Sequence, residues 1–138
     1  ALGIDVSPEA VRMTRQRGAR ARRGDVFGPV PEEGRWATAL LADGNIGIGG
    51  DPARLLARVR DLLAPDGVAI VELEAPGTGL VHDRLRLRLG DRESVAFDWA
   101  LVGVDAIDDL ATEADLSVAA LRESGGRHAA LLTRSQIG

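Results

Sequence analysis

Apolar residues follow three patterns along this chain, and each pattern predicts a different kind of element. Continuous runs stand at 36–42, Trp36-Ala37-Thr38-Ala39-Leu40-Leu41-Ala42, and at 68–73, where Val and Ile dominate. Runs of this kind predict strands covered on both faces, as in a parallel sheet between helices. Between them Leu55, Leu56, Val59, Leu62 and Leu63 recur at helical spacing, with Arg54, Arg58 and Asp61 towards the other face. Asp51 caps that helix, Pro52 takes its first position, and Pro65-Asp66-Gly67 stops it. Strict alternation follows in Arg84-Leu85-Arg86-Leu87-Arg88-Leu89 and at Val95, Phe97 and Trp99, on either side of Gly90-Asp91. That pattern predicts a β-hairpin.

The two ends of the chain extend this reading. Ala1-Leu2-Gly3-Ile4-Asp5 is a short apolar run ending in a carboxylate, and a helix start follows at once. Ser7 suits the N-cap, Pro8 the first helical position, and Glu9 the positive end of the helix dipole. Gly18 can supply the left-handed residue that closes this helix. Ala19-Arg20-Ala21-Arg22-Arg23 alternates small and charged side chains, the marking of an edge strand, before Gly24-Asp25-Val26. Residues 28–34, with Pro29 and Pro31, form a loop. An amphipathic helix is predicted from Val104 to about Asp115. Strands at 116–121 and 128–133 then flank the turn Glu123-Ser124-Gly125-Gly126-Arg127. Strands and helices alternate up to residue 73, which predicts right-handed crossovers and an α/β fold with a mostly parallel sheet flanked by helices. An antiparallel C-terminal strand pair and an inserted hairpin at 76–99 complete a single domain over 1–138.

Composition narrows the chemistry. No cysteine is present, so disulfides, thiolate metal sites and a cysteine nucleophile are excluded. His82 and His128 stand far apart, which leaves no metal site to expect. All 17 basic residues are Arg, and without lysine no Schiff base can form. A net charge of −4 argues against nucleic acid as the partner. No apolar run approaches the length of a membrane helix, and no signal-like segment is visible, so a cytoplasmic protein is expected.

The strand-end carboxylate Asp5 stands where open α/β sheets bind ligands, and it can accept hydrogen bonds from both ribose hydroxyls of a nucleoside. The competing reading is a surface carboxylate that supports the adjacent helix N-terminus. Gly3-Ile4-Asp5-Val6-Ser7-Pro8-Glu9-Ala10, then Gly24-Asp25-Val26, Leu41-Ala42-Asp43-Gly44-Asn45 and Leu62-Leu63-Ala64-Pro65-Asp66-Gly67-Val68, with the closing strand pair, together resemble a class I S-adenosylmethionine-dependent methyltransferase. The resemblance covers nearly the whole chain and implies S-adenosyl-L-methionine as cofactor. It also implies a seven-stranded sheet whose last strand is inserted antiparallel beside the fifth. The family's first strand and its Gly-rich loop have no counterpart here, so they are expected to precede Ala1 in a longer gene product.

By this resemblance Asp5 accepts from the ribose and Val6 lies against the adenine. Asp25 accepts from the adenine amino group, and the Val26 amide meets a ring nitrogen. Asp43, Gly44 and Asn45 meet the cofactor's amino-acid end, and the small residues from Gly44 to Gly50 permit close approach. For Val6 simple packing is the alternative, and for the glycine loop a turn without ligands. His82 is a weak candidate for a general base. Arg84, Arg86 and Arg88, expected on one face of a strand, either greet an anionic substrate or form the solvated face of a hairpin whose leucines pack inward. Phe97 and Trp99 are expected to pack in the core or a lid, and His128 to be structural. In-line methyl transfer from a sulfonium asks mainly for placement and water exclusion, so no catalytic triad is required. No Asn-Pro-Pro-Tyr-type tetrapeptide follows Leu41, which favours a small-molecule acceptor. Two other classes stay open: an NAD-dependent dehydrogenase domain, which Asp5 would serve equally, and a non-catalytic scaffold of the same fold.

Overall fold

A computed structural model describes residues 1–86, 88–93 and 95–135. They fall into two compact units, Ala1–Glu33 and Gly34–Gly138.

In the first unit β1 (Gly3–Asp5) leads through α1 (Pro8–Gln16) to β2 (Ala21–Arg23). Ser7 holds the extended conformation of an N-cap, and its hydroxyl accepts from the Ala10 amide at 3.2 Å. Gly18, at φ 84°, ends the helix in the left-handed region that glycine enters without steric cost. Val11 is the buried side chain of α1. β1 and β2 pair in parallel, Gly3 opposite Ala21 through Asp5 opposite Arg23, so both strands end on the same side.

The second unit is built on a four-stranded sheet. It contains β3 (Trp36–Leu41), α2 (Pro52–Leu62) and β4 (Leu63–Leu73), followed by the hairpin strands β5 (Leu80–Leu85), β6 (Arg88–Leu89), β7 (Arg92–Glu93) and β8 (Phe97–Val102). After these come α3 (Ile107–Glu113), β9 (Leu116–Ser124) and β10 (Arg127–Arg134). The sheet order is β3-β4-β10-β9. β3 and β4 are parallel, and β10 is inserted antiparallel between β4 and β9. Among the described residues, parallel strand pairing occurs in β1–β2 and β3–β4, and an isolated parallel bridge joins Glu74 to Gly103. The sheet is mixed where a mostly parallel one was expected, because both neighbours of β10 run against it.

The Asp51 carboxylate accepts from the Arg54 amide at 3.1 Å and caps α2, with Pro52 in the first turn. Leu55, Leu56, Val59 and Leu62 of α2 are buried, as are Ala69, Val71 and Leu73 of β4 and Ile107, Leu110 and Ala111 of α3. β10 adds Ala130 and Leu132 to the same core. Burying each large aliphatic side chain contributes about 1.5–3 kcal/mol. β3 departs from the expected two-sided burial, since Leu41 is buried while Leu40 is 66% exposed. β4 is also longer than the expected 68–73, because a bulge between Trp36 and Thr38 of β3 carries the pairing back to Leu63. Gly67 is needed in that bend, where a Cβ would come within 2.9 Å of the Trp36 carbonyl oxygen.

The inserted hairpin forms by antiparallel pairing of β5 with β8, and β6 with β7 about Gly90-Asp91. One continuous arginine ladder does not. Arg84 belongs to β5 and Arg88 to β6, with Arg86 between the strands, and Leu87 lies outside the described residues. β5 starts earlier than the alternation suggests, at Leu80, and pairs with β8 through Leu85.

Candidate functional site

In the first unit, the C-terminal ends of β1 and β2 present two carboxylates from adjacent loops. Asp5 closes β1; its backbone oxygen accepts from the Gly24 amide at 2.9 Å, and its side chain accepts from the Ser7 amide at 2.9 Å. Asp25, just beyond β2, accepts from the Phe27 amide at 2.9 Å and sits in a turn that the Gly28 amide closes on its carbonyl. Each carboxylate is therefore oriented by a local amide and remains solvent-exposed. An ionised carboxylate has about four acceptor positions, so capacity for ligand hydroxyls or amines is left at both. Val6, next to Asp5, is 64% exposed, and Val26 is half-buried. A shallow concavity of about 440 Å³ in this unit lies against α1 instead, lined by Val11, Arg12, Arg15 and Arg23, and contains none of these residues.

In the second unit, the corresponding strand ends belong to β3 and β4. The chain turns sharply after β3, with Asp43 at φ 54° and Gly44 at φ 79°. A non-glycine residue in this region costs roughly 1–2 kcal/mol, and a cross-strand contact holds it there. The Asp43 amide donates to Glu72 Oε1 at 2.7 Å, from the end of β4. Arg127, at the start of β10, donates from Nε to Glu72 Oε2 at 2.6 Å and stands 3.3 Å from Asp43 Oδ1. The Asp43 amide, then Arg127, hold the Glu72 carboxyl below the usual carboxylate range, and Glu72 in turn raises Arg127. Gly44 has open space where a side chain would stand. Asn45 opens the Asn45–Gly50 segment of 3-10 turns, broken at Ile48 and Gly49. Glu72 and Arg127 did not stand out in the sequence.

The glycines of 45–50 serve the chain's own packing more than an open approach. A Cβ on Gly47 would overlap the Ala100 carbonyl oxygen and lie 2.7 Å from Trp99 Nε1, and one on Gly50 would lie 2.8 Å from the Asp98 Cβ. The loop after β3 is thereby pressed onto β8, which places the β5–β8 hairpin at the end of the unit where β3 and β4 terminate. His82 Nδ1 lies 3.0 Å from the Gly50 carbonyl oxygen. A carbonyl only accepts, so this contact puts the proton on Nδ1 and leaves Nε2 as the basic nitrogen of the neutral ring. A cavity of about 290 Å³ opens here, lined by Gly50, His82, Arg84, Asp98 and Trp99. Arg84 and Asp98 approach to 3.8 Å, so this arginine faces a carboxylate of its own hairpin. Phe97 and Trp99 stack edge to face at 6.1 Å. Asp105 accepts from the amides of Gly77 and Gly79 and pins the loop leading into β5. His128 is half-buried in β10, opposite Leu73. Among the described residues no group of three or more His, Cys, Asp or Glu is placed to hold a metal ion, and no helix is long and apolar enough to cross a membrane.

No protein-family model and no curated protein sequence matches the chain. Solved structures do. A SAM-dependent methyltransferase from Bacteroides fragilis, in complex with S-adenosyl-L-homocysteine, superimposes with a TM-score of 0.75 at 21% identity, over 96% of this chain and 62% of that one. The CcbJ methyltransferase from Streptomyces caelestis gives 0.69 at 14% identity, covering 98% and 74%. The 1,6-didemethyltoxoflavin-N1-methyltransferase from Burkholderia thailandensis, with 1,6-didemethyltoxoflavin and S-adenosylhomocysteine bound, gives 0.66 at 14% identity, covering 98% and 61%. The chain thus spans less than two thirds of the Bacteroides protein's length. At these identities it is the fold that is shared: the chain has the fold of the class I S-adenosylmethionine-dependent methyltransferases.

Proposed function

We propose that this protein transfers a methyl group from S-adenosyl-L-methionine to a small-molecule acceptor. The observation that carries the reading is the likeness of nearly the whole chain to methyltransferases solved with the demethylated cofactor. The residues present suit that cofactor: Asp5 and Asp25 offer exposed, pre-oriented carboxylates at strand ends, and Gly44 leaves room beside a main-chain turn. When bound, the cofactor supplies an electrophilic methyl carbon on an excellent leaving group. Asp5 binds the ribose hydroxyls, where bonds to an ionised carboxylate are strong. Asp25 accepts from the adenine amino group, the Val26 amide donates to a ring nitrogen, and Val6 offers the adenine an apolar face. Asp43, Gly44 and Asn45 hold the amino-acid end.

The hairpin at 76–99 shapes the acceptor side and excludes water, because loops after strand ends carry specificity on this architecture. His82, with Nδ1 held by the Gly50 carbonyl, accepts a proton at Nε2 from acceptors that need to lose one. The negative net charge supports a small molecule over nucleic acid, and a cytoplasmic setting completes the reading. What speaks for this reading over an NAD-dependent dehydrogenase is the antiparallel β10 between β4 and β9. Transfer of a labelled methyl group from S-adenosyl-L-methionine into a panel of small alcohols, phenols and amines tests it. Replacing 76–99 by a short Gly-Ser linker is expected to abolish transfer while leaving cofactor binding largely intact. Labelling of RNA or protein in place of the small molecules would refute the acceptor class.

A further inference from the structure

One stretch of the first unit carries a charge opposite in sign to that of the whole chain. Between Arg12 and Arg23 stand six arginines and no carboxylate, in a protein of net charge −4. Three of them, Arg12, Arg15 and Arg23, line the concavity of about 440 Å³ beside α1, together with Pro8, Val11 and Gln16. A volume of this order falls within the range of small-molecule sites. Two of the three guanidiniums are held in place by the main chain. Arg15 Nε donates to the Ala21 carbonyl oxygen at 3.0 Å, and Arg23 Nε donates to the Val6 carbonyl oxygen at 3.3 Å. Among the described residues the terminal nitrogens of both have no hydrogen-bond partner. An arginine that only solvates a surface keeps its rotamer freedom. These two have given it up, which lowers the entropy lost when a ligand is bound. Arg12 pairs with Glu9, one turn earlier. Three guanidiniums less one carboxylate leave two positive charges at the concavity.

We propose that this concavity binds a phosphorylated small molecule, with the phosphate held by Arg15 and Arg23 and the organic body against Pro8 and the aliphatic stems of the arginines. A phosphate monoester carries about −1.5 to −2 charges at pH 7 and three acceptor oxygens. That matches two positive charges and two oriented guanidinium forks. A carboxylate or a sulfate ester, with a single charge, meets only half of it. The concavity contains neither Asp5 nor Asp25, so the proposal stands apart from the cofactor reading.

Titration of the full chain, followed by NMR on the arginine Nε–H signals, tests it with three probes: phenyl phosphate, phenyl sulfate and inorganic phosphate. Phenyl phosphate is expected to shift the Arg15 and Arg23 signals. It should bind about three- to fivefold more tightly than phenyl sulfate, which has the same body and less charge. Inorganic phosphate, without the body, should also bind more weakly. Arg15→Met and Arg23→Met keep an apolar stem and remove the fork. Each is expected to weaken phenyl phosphate about three- to fivefold, the scale of an exposed ion pair. Arg20→Met removes the same charge from outside the concavity and is expected to leave the affinity unchanged. Equal losses in all three variants would mean a diffuse positive field and overturn the proposal. Absence of shifts, or equal affinity for phenyl phosphate and either other probe, would overturn it too. The comparison of probes on the parent chain decides the matter even where a variant fails to fold.

Discussion

At the level of single residues, the carboxylates at the two strand ends of the first unit were legible because each sits beside an unmistakable local signal. Asp5 precedes a Ser-Pro-Glu helix start, and Asp25 follows an arginine-marked edge strand. The structure gives each a local amide to orient it, from Ser7 and from Phe27. Glu72 and Arg127 were not legible. They stand 55 residues apart and meet only because β10 is inserted beside β4, a pairing no local pattern encodes. Different substitutions at Asp25 separate its charge from its hydrogen bonding. Asn keeps an acceptor for the Phe27 amide and loses the charge, while Ala loses both. We expect a moderate loss of S-adenosyl-L-methionine affinity for Asp25→Asn and a larger one, about 1.5–3 kcal/mol, for Asp25→Ala. Calorimetry on both variants checks the order, and parental affinity in both would move adenine recognition elsewhere.

At the level of elements, caps and turns were read well and coverage was read poorly. Ser7, Asp51 and Gly18 act as the sequence predicts, because capping depends on neighbours within a few residues. The run at 36–42 gave no sign that Leu40 would be exposed, because an apolar sequence records what a strand tolerates on each face and leaves open what lies against it. The glycines of 45–50 looked like room for a ligand, yet Gly47 and Gly50 admit β8. Gly47→Ala should therefore cost stability, about 1–3 kcal/mol for the forced shift of the loop against β8, and urea denaturation measures it. A neutral result would show that this packing is loose.

Asp105 gives the hairpin a pH signature. The amides of Gly79 and Gly77 hold its carboxyl below the ordinary 3.8. A depressed folded-state value stabilises above the unfolded value, and the stabilisation is lost as pH falls through 3.8 towards the lower folded value. The melting temperature of the parent should exceed that of Asp105→Asn at neutral pH, and the gap should close below 3.8. A gap independent of pH would deny the carboxylate this role.

At the level of the molecule, the order of strands and helices was legible in the apolar patterns, whereas the antiparallel insertion of β10 beside β4 was implied only by the family resemblance. The division into two compact units falls within the proline-bearing loop at 28–34, which the sequence reading placed inside a single domain. The central claim is that a strand-end carboxylate binds the ribose of S-adenosyl-L-methionine. Its most direct test is calorimetric titration of the full chain and its Asp5→Ala variant with S-adenosyl-L-methionine and with NAD. The account predicts that the parent binds S-adenosyl-L-methionine in preference to NAD, and that Asp5→Ala weakens this binding by about 1.5–3 kcal/mol. Preference for NAD, or unchanged affinity in a folded Asp5→Ala variant, would contradict it.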